Sequence, residues 1–298
     1  MVLRVGSPPL HVGNLLTFSL QVYRYHFWRY LWLSLQAHAW VLVPIYGWAK
    51  YCALLGALSR LVVQNLRGVT ESPAEAVAVA QARMWSLWGA AILYGLASTG
   101  AFLVIGGAGL ALTVPLGVWL EETGGWENPW MVLGFILWGV GVLAVALLGW
   151  TWLVFRWLLY PLPLVMETGV GSGQSLSRSW QLTQGSVVKI QLVVLVGGLL
   201  LLPFQLPVQL VMNMVQMMCV VLATLIGGMI SIILTAVIGE SAVAGVAFFI
   251  PMLFAFIIPA LLVAAVFAPF WQAVLGALYY ESQCRREGWG LVLPSVER

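Results

Sequence analysis

The chain has 298 residues, of which 62% are hydrophobic and 8% are charged. A water-facing domain carries roughly 25% charged residues, so composition excludes an ordinary soluble globule. The net charge of +3 comes from 13 Lys and Arg against 10 acids, and its distribution along the chain favours anionic headgroups over nucleic acid as a partner.

Residues 13–29 (GNLLTFSLQVYRYHFWR) place Leu15, Leu16, Phe18, Leu20, Val22 and Phe27 beside Arg24, His26 and Arg29. That mixture predicts an amphipathic helix lying in one membrane interface. With Arg24, His26 and Arg29 where an uncharged core would be needed, the first 30 residues do not read as a cleaved signal peptide. An apolar run from Tyr30 to Ser59 follows, interrupted at Pro44 and Gly47. It is expected to form a hairpin, a single steeply tilted helix being the alternative. Gly68 closes this section. Ser72, Pro73 and Glu75 then fit an N-cap, a first helical position and a capping-box acid.

The helix so started is expected to enter the membrane near Met84 and to run through Gly100, Gly106, Gly107 and Gly109 towards Trp119. The acidic loop Glu121 to Glu127 follows, and a helix from Pro129 to about Tyr160 returns. Pro161 and Pro163 break it, and 169–173 reads as a linker. Residues 175–189 form a second amphipathic segment. The apolar stretch from Ile190 to Tyr280 carries breaks at Pro203 and Pro207, at Gly239-Glu240-Ser241, and at Pro251, Pro259 and Pro269. Two full spans plus a kinked or re-entrant helix around 213–239 are expected there.

The cations fall into four patches: Arg4, Arg24, Arg29; Arg60, Arg67, Arg83; Arg156, Arg178, Lys189; Arg285, Arg286, Arg298. Lys50 stands apart, and the acidic loop has no cation. Because Lys and Arg resist translocation, the patches are assigned to the cytoplasmic side and the acidic loop to the outside. The reading is an all-α polytopic membrane bundle in the inner (plasma) membrane, with about six transmembrane helices, two interfacial helices and both termini cytoplasmic. It is one membrane domain, 1–298.

Two offsets suggest an internal duplication. At 160, Ser19, Gln21, Val22, Phe27 and Arg29 fall on Ser179, Gln181, Leu182, Val187 and Lys189. At 220, Ala53, Leu55 to Leu58 and Gly68 fall on Ala273, Leu275 to Leu278 and Gly288. The halves would be 13–68 and 173–288, parallel repeats flanking a central helical pair at 74–160.

Three segments carry a family resemblance: NLLTFSLQVYRYHFWRYLWL, PLPLVMETGVGSGQSLSRSWQLTQGSVVKI and APFWQAVLGALYYESQCRREG. Together they resemble the polytopic membrane domain found beside some bacterial glycerophosphodiester phosphodiesterases, and the related YciC-like membrane families. The resemblance implies about six spans with basic amphipathic segments on the cytoplasmic side. It implies no catalysis, since the hydrolase of that family is a separate barrel rich in His, Glu and Asp. This chain has no Asp and only His11, His26 and His38. Where the family ends in Tyr–Tyr–Asp, this chain has Tyr279-Tyr280-Glu281, and Cys284 precedes the arginines.

Candidate sites are few. Arg24, Arg29, Arg178 and Lys189 are candidates for lipid headgroups. Lys50 lies within an apolar run and is expected to snorkel from the Pro44–Gly47 turn to the outer headgroups; an ion or anionic-lipid contact is the sharper alternative. His38, beside Gln36, is expected to hydrogen-bond a neighbouring helix; ligation or proton transfer is the sharper alternative. Glu240 reads as an interfacial turn residue or, alternatively, as a proton or cation site. Gln205, Gln209, Asn213 and Gln216 line one helix face, suited to interhelical bonding or to a polar conduit. Met212, Met214, Met217 and Met218 surround it as adaptable packing. Cys52, Cys219 and Cys284 are too scattered for a redox or metal pair, and no cofactor or metal set is expected. No nucleophile triad, P-loop or HExxH occurs. The expectation is a non-enzymatic scaffold or accessory protein that contacts lipid headgroups or other membrane proteins. The rival is a small transporter using the Gln205–Gln216 stripe, and the third option is a pigment-binding subunit using His38.

Overall fold

The computed structural model describes residues 12–238 and 241–287. Every described element is helical: α1 (Val12–Tyr25), α2 (Phe27–Trp40), α3 (Tyr46–Leu66), α4 (Pro73–Ala82), α5 (Met84–Glu122), a 3-10 turn (Gly125–Glu127), α6 (Pro129–Trp157), α7 (Pro161–Met166), α8 (Ser172–Thr183), α9 (Val187–Ile238) and α10 (Ser241–Glu287).

These helices divide into a packed base and two long hairpins. In the base, α3 is central and packs on α2, α4, α5, α7 and α10. Its small residues permit this close approach. A Cβ on Gly56 would lie 3.1 Å from Val165 Cγ1, and one on Gly276 of α10 would lie 3.0 Å from Val62 Cγ1. The core is filled by Leu58, Val62, Leu87, Leu159, Leu162, Leu164, Leu182, Ile190, Phe270 and Tyr279, all fully buried. One hairpin is α5 and α6, joined through the acidic loop. The other is α9 and α10. Along α6 no residue is buried, and along α9 none is buried from 202 to 222. Their apolar side chains therefore face outward, as spans covered by lipid do.

Four helical stretches among the described residues are long and apolar enough to cross a membrane: Met84–Glu122, Pro129–Met166, Val187–Val237 and Phe248–Arg286. This fits an all-α, multi-pass membrane protein, but with four spans where six were expected. The whole difference lies in the hairpin expected at 30–59. Its first limb, α2, has 14 residues and at 1.5 Å per residue covers about 21 Å, against a hydrocarbon core of about 30 Å. Its partner α3 spends its apolar surface inside the base, with Ala53, Leu54, Ala57, Leu58, Leu61, Val62 and Val63 buried. Within 190–280 two full spans are expected and two are present, because the prolines there do not end helices. Pro203 and Pro207 lie inside α9, and Pro251, Pro259 and Pro269 inside α10. Each removes one backbone donor, a loss that kinks a helix without reversing it. Residues 213–238, expected as a kinked or re-entrant helix of their own, are thus part of α9.

Several local signals act as the residues dictate. Ser72 Oγ accepts from Glu75 N, and Glu75 Oε2 accepts from Ser72 N at 2.9 Å, so the capping box opens α4. Gly68 follows α3 with a φ of 73°, a left-handed conformation that needs no Cβ. The α2–α3 turn is tighter. Ile45 takes a φ of 62°, unusual for a β-branched residue. A Cβ on Gly47 would sit 2.0 Å from the Trp40 carbonyl oxygen, so only glycine lets the chain reverse here.

One helix start follows the 160-residue offset: Phe27 opens α2 and Val187 opens α9. Ser19 and Ser179 are both wholly buried, as are Ala53 and Ala273, and Ala57 and Leu58 match buried Ala277 and Leu278.

Candidate functional site

The base is held by cations that find their partners within the chain. Glu167, at the end of α7, is the hub. Arg178 Nε donates to both of its carboxylate oxygens at 3.2 Å, and the Tyr279 hydroxyl donates to Oε1 at 2.9 Å. Gln283 Nε2 donates to the Tyr279 oxygen at 2.8 Å, and Arg67 Nη2 to Gln283 Oε1 at 2.9 Å. Arg83 Nη1 donates to the Leu164 and Glu167 carbonyls. Arg60 pairs with Glu71 at 2.8 Å and donates to the Val165 carbonyl. Arg156 lies between Trp152 and Trp180, 4.6 and 4.5 Å from their ring centroids. Lys189 Nζ reaches Glu281 Oε1 at 2.7 Å. Two of the four headgroup candidates, Arg178 and Lys189, therefore hold carboxylates of the base. The sequence offers one signal of this: Glu167 and Glu281 are acids set among cationic patches.

Arg24 and Arg29 differ. Both are exposed, and neither has an ion pair or hydrogen bond among the described residues. They flank the bend between α1 and α2, beside a groove of about 1040 Å³. The floor and walls are Leu201, Phe204 and Val208 of α9 and Val266 and Phe267 of α10, with Leu20, Tyr23 and Phe27 closing the near side. Leu201 is the last buried residue before α9 leaves the base, so the groove opens where the packed region gives way to lipid-facing helix. Tyr25 and Trp28, 85% and 79% exposed, stand at its mouth, as aromatic side chains do at membrane interfaces.

The neighbouring groups leave the positive charge of Arg24 and Arg29 without a carboxylate among the described residues. Tyr23 Oη donates to the Val266 carbonyl at 2.7 Å and fastens α1 to α10. Burial pushes its pKa up to about 12, so it stays a neutral donor. His26 occupies the N-cap position of α2, stacked on Tyr30 with centroids 5.5 Å apart. Burial, and then the nearby Arg29 charge, lower its pKa and favour the neutral ring. Its Nδ1 is buried without a hydrogen-bond partner among the described residues. No side chain caps α2, and its first turn has no acid, leaving the positive end of the helix dipole uncompensated.

The remaining candidates separate. Lys50 Nζ sits 3.9 Å from the centroid of Trp40 and 5.9 Å from that of Tyr46, held at the α2–α3 turn. His38 is buried; its Nδ1 lies 2.8 Å from the Ser34 carbonyl, and its ring meets Tyr51 edge-on at 5.2 Å. Burial lowers its pKa. No set of three His, Cys, Asp or Glu gathers as a metal site among the described residues. Gln205, Gln209 and Asn213 are exposed and Gln216 half-buried, with Gln209 Nε2 donating to Asn213 Oδ1 at 2.9 Å. The stripe thus faces out from α9. Glu240 lies outside the described residues. Comparison with known protein families, with curated proteins and with solved structures found no match.

Proposed function

We propose that this chain is a non-enzymatic integral membrane protein, a scaffold or accessory component that engages lipid headgroups in the bacterial inner membrane, with its base on the cytoplasmic side. One observation carries the reading. Six base cations spend their charge on internal carboxylates, carbonyls or rings, while Arg24 and Arg29 present theirs outward at the edge of an apolar groove. The correspondence of Phe27 with Val187 as helix starts and of Ser19 with Ser179 as buried residues supports a duplicated ancestry, and the family resemblance rests on its three quoted segments. The test is native mass spectrometry of protein extracted gently from its own membranes. Retained acidic lipid or a stoichiometric membrane partner is expected. A protomer released bare, with neither, overturns the reading.

The amide stripe of α9 favours a second reading, a transporter component, because four amides on a helix long and apolar enough to cross a membrane need polar company. Reconstituted vesicles would then show a flux that Gln209→Leu abolishes.

A further inference from the structure

The two segments related by the 160 and 220 offsets treat their cation differently. In the later segment Lys189 meets Glu281 across the α9–α10 pair at 2.7 Å. In the earlier segment the residues at the same positions are Arg29 and Leu61. Leu61 is buried apolar filling in α3 and supplies no charge. The position that neutralises Lys189 from within is therefore blank for Arg29, which has no carboxylate partner among the described residues and is open to a counter-charge from outside.

What surrounds Arg29 defines the form of that counter-charge. Arg24 stands with it on the same groove, and the uncapped α2 N-terminus adds positive potential. His26 contributes a buried, unpartnered ring nitrogen at that terminus. A small inorganic anion would satisfy these groups but would leave the apolar trough beside them unfilled. At about 1040 Å³ the trough is at the upper end of the 300–1,000 Å³ usual for drug-sized ligands. Its walls, Phe204, Val208 and Phe267, belong to helices that continue outward as spans, so hydrocarbon can enter laterally.

Resting on the lipid-contact reading above, we propose that the groove at the α1–α2 bend is a discrete site for one anionic glycerophospholipid, its phosphate held by Arg24 and Arg29 and its acyl chain laid against Phe204, Val208 and Phe267. Arginine suits this role because its planar fork presents paired donors to phosphate oxygens. The site selects for net charge: a zwitterionic headgroup carries its own ammonium to the same cations and is held less well.

The experiment is equilibrium binding of fluorescent phosphatidylglycerol to the delipidated full chain in mixed micelles, with phosphatidylcholine and inorganic phosphate as competitors. One phosphatidylglycerol per chain is expected, displaced poorly by phosphatidylcholine and not by millimolar phosphate. Arg24→Gln with Arg29→Gln should weaken binding about ten-fold or more. Val208→Trp, which fills the trough and leaves both arginines in place, should weaken it as well. Circular dichroism melting checks that each variant folds. Equal displacement by inorganic phosphate would overturn the amphiphile in favour of a simple anion site. Binding of wild-type strength in both variants would overturn the location while leaving the broader lipid-contact reading intact. Failure of the wild type to hold any lipid, here and in the native mass spectrum, with no partner present either, would remove both.

Discussion

Replacing Lys189 with Met should harm the base far more than replacing its partner Glu281 with Leu. The two side chains are unequally placed: Glu281 is 5% exposed and Lys189 25%. Lys189→Met strands a buried carboxylate, the situation that costs about 3–5 kcal/mol when one partner of a buried pair is removed; the partial exposure of the pair puts the estimate at the low end, about 3 kcal/mol. Glu281→Leu leaves an ammonium on a flexible four-carbon stem that can turn its head to water, at a cost of about 1 kcal/mol. It also puts leucine where the earlier segment has Leu61 at the same offset. The double variant should lie within about 1 kcal/mol of wild type, since swapping a buried pair for apolar groups is often neutral. The coupling is then about 3–5 kcal/mol, more than a hundred-fold in the unfolding equilibrium. Reversible unfolding in SDS-titrated mixed micelles measures all four proteins. Equal losses for the two single variants, or additive losses in the double, would refute the assignment of Lys189 as internal neutraliser.

Gly47→Ala should open the α2–α3 turn, because its methyl would collide with the Trp40 carbonyl oxygen 2.0 Å away; about 3 kcal/mol or more is expected. Gly13→Ala, with nothing within 4 Å, is the neutral control in the same assay. Ser72→Ala should cost about 1 kcal/mol through loss of the α4 cap. Hydrogen bonds from Ser72 hold the Glu75 carboxyl below its ordinary pKa. The stabilisation they provide is therefore full above the usual glutamate value and fades as pH falls through the lowered one; Glu75→Gln should flatten that acid limb in a pH series of melting curves. Arg29→Ala should raise the His26 pKa, since Arg29 contributes to its depression; burial, the larger cause, should keep it short of the ordinary value, as histidine-selective NMR titration would show.

The elements most legible in the sequence are those set by local chemistry. The capping box at Ser72, the stop at Gly68, the reversal near Pro44 and Gly47, and the α5–α6 hairpin around its acidic loop all follow from residues a few positions apart. What escaped depends on distance. Nothing near Pro203 or Pro259 says that a helix continues through them, because a proline that kinks a helix and one that ends it read alike in the local sequence. Nothing near Lys189 says that a carboxylate 92 positions away waits for it. Of the four headgroup candidates, Arg24 and Arg29 remain exposed, and the groove beside them could not be read because its walls come from α9 and α10.

The base also imposes an order on how the protein is made. Its interior is completed by Phe270, Ala273, Val274, Ala277, Leu278 and Tyr279, which pack against Leu54, Ala57, Leu58 and Val62. While the ribosome translates the roughly 200 residues between, α1 to α4 must wait with their apolar flanks unmatched, a delay of about 10–40 s at usual elongation speeds. The α5–α6 hairpin and then α9 reach the insertion machinery during that interval. The nascent protein is therefore most vulnerable to proteases and wrong pairings before its last helix emerges, and stop codons placed ahead of Phe270 should yield products that are inserted yet swiftly degraded.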